Sequence, residues 1–327
     1  MDHVERFRAV MAGQPVDRLP RIEWALWWDK TISRWQGEGL ALDDRYELYR
    51  HFGLDVYWQH WFCPRTADCP WSREDRPLVA DHADYEEMLP QLFPPIDELE
   101  PTFAAWADAQ RRGEGLVWMT LEGFFWYPRW LMGIEPHLYA FYDQPELMHR
   151  INADLADWSV GVLQRLADLC PPAFFTIGED MSYNHGPMLS RAQFQEFIAP
   201  YYGRIIPLMH EMGATVIVDT DGDVTAMIPW LQETGVDGVL PLERRAGVDA
   251  LAIRREFPTL AMIGHFDKTV MCGGEATMRA EFDRLLPLMR GGRFLPSVDH
   301  QTPPDVSLEQ YRTYVRLLGE YTELASR

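Results

Sequence analysis

Two aspartates separated by one residue, Asp219 and Asp221, directly follow the apolar run Ala214–Val218. Residues two apart in extended backbone project to the same side, so these carboxylates stand together. Such a pair calls for a metal, a shared proton or a cationic partner. His300, just beyond the run Phe294–Val298, supplies an imidazole that either completes a divalent-cation site with the two carboxylates or works with one of them as an acid/base pair. Glu243 follows the run Gly238–Leu242, and Glu179, Asp180, Tyr183 and His185 follow Ala173–Gly178. A further group, Glu122 to Trp130, follows Leu116–Leu121; its Trp126 and Arg129 suit packing of a flat ligand and clamping of an anionic group. Trp24, with Trp27, Trp28, Trp58 and Trp61, adds indoles to the same half of the chain and predicts an aromatic pocket wall.

The elements that must position these groups are eight short apolar runs separated by helical patterns. Besides those already named they are Leu19–Trp24, Leu54–Trp58 and Thr259–Gly264. Alternation of strand and helix implies a parallel sheet, and eight repeats predict closure into a (β/α)8 TIM barrel, with an open doubly wound sheet as the alternative because spacing does not show whether the first and last strands pair. In such a barrel the site is assembled from residues beyond the C-terminal ends of the strands, and every run here is followed by polar residues. These include Glu23 in the first, Gln59 and His60 after the second, His265 and Asp267 after the seventh, and Asp299 beside His300 after the eighth.

Helix ends are also legible. Ser190 with Gln193 and Ser307 with Gln310 fit the capping box, Asp249 and Asp267 fit simple caps, and Gly235 and Gly291 are placed to close helices in the left-handed conformation. Residues 1–327 read as one domain with an irregular insertion around 63–94, which carries a short helix near Tyr85–Met88 and has the character of a lid.

The balance of 30 basic against 50 acidic residues, a net charge of -20, disfavours nucleic acid and anionic membranes as partners. The N-terminal residues lack the apolar core of a signal peptide, which predicts a cytoplasmic protein. Cys63, Cys69, Cys170 and Cys272 lack CxxC spacing and are expected as free thiols. Nothing in the sequence fixes the oligomeric state.

The opening Glu5-Arg6-Phe7-Arg8-Ala9-Val10 and Pro15-Val16-Asp17-Arg18-Leu19-Pro20 resembles the uroporphyrinogen decarboxylase superfamily. So do Gly178-Glu179-Asp180-Met181, Gly186-Pro187-Met188-Leu189-Ser190, Asp221-Gly222-Asp223, Pro241-Leu242-Glu243 and the segment from Asp299 to Pro304. The resemblance spans nearly the whole chain and implies a (β/α)8 barrel. It includes true decarboxylases and zinc-dependent methyltransferases that work with corrinoid proteins. The decarboxylases carry an arginine-rich segment after the first strand, where this chain has Ile22-Glu23-Trp24-Ala25-Leu26-Trp27-Trp28, so the clamp for a polycarboxylate is missing. In the methyltransferases a His-x-Cys pair and a later Cys bind zinc; the matching positions resemble Asp219-Thr220-Asp221 and His300, where carboxylates and imidazole replace thiolates.

The resemblance therefore implies methyl transfer from a small methoxylated compound to a corrinoid on a separate protein. Asp219, Asp221 and His300 are the expected ligands for zinc or another divalent metal. Glu243, Glu179, Asp221 and His300 are the expected catalytic groups, and Trp24, Trp126, Arg129, Tyr183 and His185 the expected substrate contacts. Two other readings stand beside this one: decarboxylation of a small carboxylate held by Arg129, and a catalytically silent barrel that binds a ligand or a corrinoid protein.

Overall fold

A computed structural model describes residues 1–72 and 77–326. Seven parallel strands form one curled sheet in chain order: β1 Tyr57–Phe62, β2 Leu116–Glu122, β3 Phe174–Gly178, β6 Thr215–Asp219, β7 Gly238–Leu240, β8 Ala261–Phe266 and β9 Phe294–Val298. Two-residue strands β4 Ser182–Tyr183 and β5 Gly186–Pro187 make a small antiparallel hairpin beyond β3. Every residue of β2, β3, β8 and β9 is buried, as expected of parallel strands covered on both faces, and this is why their sequences are continuous rather than alternating.

Among the described residues the ladder is not closed by an eighth strand. Residues 19–24, expected as the first strand, lie between β1 and β9 without a regular ladder to either. Pro20 has no N–H to give, and the Arg21 N–H is taken by the Asp55 carboxylate at 3.0 Å. The Arg21 carbonyl accepts from Asp55 N, while Trp24 N donates to Ser297 Oγ at 3.3 Å and Trp24 Nε1 to the Val298 carbonyl at 2.6 Å. Side chains thus replace ladder bonds along this seam.

Two other strands are displaced from expectation. The second starts at Tyr57 rather than Leu54, because Leu54 N still bonds the end of the preceding helix and Asp55 N is committed to Arg21. The seventh starts at Ala261 because Leu260 N closes a turn onto Phe257. Gln59, His60 and His265 consequently lie inside strands rather than after them.

The helix caps at Ser190, Ser307, Asp249 and Asp267 form as expected. The helix opened by Ser190 stops at Phe197 and restarts as Ala199–Glu211, since Pro200 in the new first turn cannot continue the ladder. Gly235 is left-handed, but Gly291 is not; Gly292 takes that conformation instead. Within the 63–94 stretch a helix spans His82–Met88, and residues 73–76 lie outside the described residues. The stretch is pinned by Arg65, which pairs with Glu122 at 2.7 Å, and by Leu78 N, which bonds the Leu131 carbonyl. All four cysteines are free.

Glu23 fills the seam. It is 1% exposed and accepts from Ser297 Oγ, from Val298 N at 3.4 Å and from Tyr311 OH at 3.2 Å. Burial outweighs these donors and pushes its carboxyl up to about 7. A carboxyl raised in the folded state contributes stability that is fully present below its unfolded value and is lost as pH rises through about 7. Glu23→Gln is therefore expected to remove this residue's share of the loss between acidic and mildly alkaline pH, on the order of 3 kcal/mol. Urea unfolding of parent and variant across that window checks it; parallel pH profiles count against the assignment.

Candidate active site

At the C-terminal ends of the strands lies a cavity of about 280 Å³ lined by Trp24, Trp61, Trp118, Gln59, Asp180, Asp219, Asp221 and His300, with Ala25, Leu26 and Gln301 completing it. Its inner layer is locked by a chain of hydrogen bonds. Trp118 Nε1 donates to Thr176 Oγ1 at 2.8 Å, Thr176 and Thr120 hydroxyls meet at 2.7 Å, and Gln59 Nε2 donates to Thr120 Oγ1 at 3.2 Å. Trp61 lies against Gly178, where an added Cβ would come within 3.0 Å of the indole, so the absent side chain makes room for this wall.

The carboxylates come from the ends of β3 and β6. The β6 period of two carries Asp219 and then Asp221 to the cavity side, as expected. The same period along β3 points Thr176, Gly178 and Asp180 inward and turns Glu179 away. The two ends are knitted together: Glu179 N and Asp180 N both bond the Asp219 carbonyl, Thr220 Oγ1 accepts from Met181 N at 3.0 Å, and Ser182 Oγ donates to the Asp221 carbonyl at 2.6 Å. Gly222 follows at φ +81, and a Cβ there would lie 2.5 Å from the Tyr183 backbone. That close approach seats the Asp221 loop on the β4–β5 hairpin.

Three carboxylates in one small cavity repel one another. Burial first and then Asp221 raise the Asp180 carboxyl to about 6, with Arg129 and His300 opposing. Asp219 is held well above the usual carboxylate range by burial and by Asp180 and Asp221. His300 Nδ1 accepts the Gln301 N–H at 2.9 Å, so the neutral ring carries its hydrogen on Nε2, which lies 3.7 Å from Asp221 Oδ2. The site therefore sets two carboxyls that hold their protons more tightly than usual beside an imidazole.

The expected metal site does not fit this geometry. Among the described residues no group of three or more His, Cys, Asp or Glu side chains converges to hold an ion. Ligation through His300 Nε2 would moreover need a hydrogen on Nδ1, the atom that faces the Gln301 N–H.

Of the other expected site residues, Trp24 lines the cavity and the rest do not. Glu179 is 1% exposed and accepts from Phe124 N, Phe125 N, Trp126 N and Tyr202 OH, so it anchors the helix Trp126–Met132 instead of meeting a ligand. Burial raises its carboxyl to about 7. Glu243 accepts the Gly222 N–H at 2.9 Å and thereby holds the Asp221 loop. Arg129 donates to the Asp180 carbonyl at 3.1 Å and lies over the Trp126 ring at 5.1 Å, outside the lining. Tyr183 and His185 pack edge to face on the exposed hairpin.

Several rim residues prove to be structural. His60 packs on Phe62 and Phe103 on the helix side of β1. His265 is fully buried, with Nδ1 at 2.8 Å from the Leu242 carbonyl and Nε2 at 3.0 Å from Arg284. Asp299 accepts from Arg244 N and Lys268 N. Of the lining residues, Asp180 and Trp61 carry no individual role in the sequence reading beyond a polar rim and an aromatic wall, and Trp118 is not named there; strict alternation counted on from Gly178 would have assigned Asp180 to the cavity.

The position of this cavity, beyond the C-terminal ends of a curled parallel sheet, is that of an α/β-barrel enzyme site. The family profile described as uroporphyrinogen decarboxylase (URO-D) matches residues 122–321, well over half of the chain. The chain belongs to the uroporphyrinogen decarboxylase family. No curated protein matches it in sequence. Among solved structures it is similar to a methyltransferase from Methanosarcina mazei, at 13% identity over 98% of this chain and 99% of that one, with a TM-score of 0.64, a likeness of fold. A second, from Listeria monocytogenes and described as a vitamin-B12 independent methionine synthase, is 12% identical over 94% of this chain and 97% of that one, with a TM-score of 0.42. No helix among the described residues is long and apolar enough to cross a membrane.

Proposed function

We propose that this chain is a methyl-transfer enzyme built on a (β/α)8 barrel in which residues 19–24 hold the place of the first strand. It takes a methyl group from a small methylated donor seated among Trp24, Trp61 and Trp118 and passes it to a corrinoid carried by a separate protein. The observation that carries this reading is the character of the cavity: about 280 Å³, walled by indoles, with three aspartates and, among the described residues, no Lys or Arg in its lining. A porphyrinogen bearing many carboxylates is repelled by such a site and is too large for it. A small methylated compound fits.

The reduced corrinoid, when docked, supplies the nucleophile for the methyl carbon. The chain's own residues hold the donor and manage its proton. For a methoxylated donor, Asp180 in its acid form protonates the departing oxygen and His300 with Asp221 restores the proton. No step is assigned to zinc, since the donors as placed do not converge on one point.

Decarboxylation of a small carboxylate is the weaker reading, because the arginine it needs, Arg129, is engaged with the Asp180 carbonyl and Trp126 outside the cavity. The test is methylation of a reduced corrinoid protein, followed by its absorbance, over a panel of small methyl donors. Transfer from at least one donor is expected. Carbon dioxide release from a small carboxylate without cobalt, or ligand binding with no turnover of any donor, overturns the proposal in favour of a decarboxylase or a silent binding barrel respectively.

A further inference from the structure

The cavity combines two features that its position alone does not require. The first is aromatic. Trp24 and Trp118 have their indole N–H groups engaged by the Val298 carbonyl and by Thr176, so what they offer the cavity is ring carbon rather than a donor. Trp61, 41% exposed, adds a third ring at the mouth. The second is charge. Asp180, Asp219 and Asp221 share the lining with no Lys or Arg among the described residues, and the Arg129 guanidinium is bonded to the Asp180 backbone carbonyl. The Asp219 carboxylate makes no side-chain hydrogen bond among the described residues, although it lies in the cavity wall.

A neutral ether leaves these carboxylates without a counter-charge, and a carboxylate ligand worsens their repulsion. A cation whose charge is spread over methyl groups satisfies both features at once, since its apolar surface packs on indole faces while the ring quadrupoles and the carboxylates attract its charge.

We infer that the cavity recognises a small organic onium cation, a methylated ammonium or sulfonium, as its methyl donor. The chemistry of this inference rests on the methyl-transfer reading; the binding does not. In the step itself the bond from methyl carbon to nitrogen or sulfur breaks with its electron pair left on the heteroatom. The methyl carbon bonds to the corrinoid cobalt, whose reduced form provides both electrons. The leaving amine or sulfide is neutral, so no proton is needed.

The experiment compares two probes of nearly equal shape, choline and its uncharged isostere dimethylbutanol, in which carbon replaces the quaternary nitrogen. Binding to the intact chain is followed by calorimetry and by tryptophan fluorescence. Choline is expected to bind at least about tenfold more tightly, with the preference cut several-fold in Asp221→Asn, which keeps the side chain's shape, and in Trp61→Leu at the exposed mouth. Equal affinities, tighter binding of the neutral probe, or no binding of either overturns the inference. Choline binding without methyl transfer from any donor keeps the cation site and removes the methyl-transfer reading. Transfer from ethers with no preference for choline does the reverse.

Discussion

Asp180→Asn is expected to lower kcat for methyl transfer from a methyl ether by about 10² to 10⁴-fold, the range associated with losing a positioned general acid. The side chain lines the cavity, and burial together with Asp221 holds its carboxyl near 6, so it can both carry and release a proton close to neutrality. The sign of the pH dependence follows. An ether needs the acid form, so its rate is level below about 6 and falls as pH rises beyond it. The asparagine variant should lose that falling limb along with the rate. With an onium donor the same substitution should act mainly on KM, because one of three carboxylates facing the cation is gone while the leaving group needs no proton. Steady-state kinetics with both donor types across pH separates these outcomes, and an unchanged ether profile in Asp180→Asn excludes Asp180 as the acid.

Glu179→Ala is expected to be the most destabilising single change discussed. Its carboxylate accepts from three successive backbone amides, Phe124 N at 2.9 Å, Phe125 N at 2.7 Å and Trp126 N at 3.2 Å, and from Tyr202 OH at 2.8 Å. Alanine leaves these donors facing an apolar interior, and each buried unsatisfied group costs about 1–3 kcal/mol. The sum exceeds about 4 kcal/mol, a large part of the roughly 5–15 kcal/mol that stabilises a typical domain. Urea unfolding should show a strongly lowered midpoint or loss of the cooperative transition. Glu179→Gln should fall between, since it keeps one acceptor oxygen but turns an amide donor towards a backbone N–H. A loss below about 1 kcal/mol in the alanine variant would show that the amides find other partners. Any effect of the glutamine variant on activity is expected through the helix Trp126–Met132, whose Arg129 holds the Asp180 carbonyl.

The sequence by itself determined the punctuation of the fold and one side of the site. Capping boxes at Ser190 and Ser307 were legible because they are contained in four consecutive residues. The parallel strands were legible because burial on both faces leaves unbroken apolar runs. The pairing of Asp219 with Asp221 followed from the period of an extended chain, and His300 from its place after the last strand. What only the tertiary structure decided was which way the neighbouring residues face and what satisfies them. Glu179 and Asp180 are adjacent and both acidic; one turns into the helix layer to serve four donors, and the other turns into the cavity. Gln59 faces the cavity and His60 the helices, because β1 starts three residues later than the apolar run suggests. The seam at residues 19–24 could not be read locally, since the groups that replace its ladder, Asp55, Ser297 and Val298, are distant in sequence. Local rules fix periods and caps within a few bonds of a residue; the partner that decides between a ligand-facing acid and a structural one comes from a distant part of the chain.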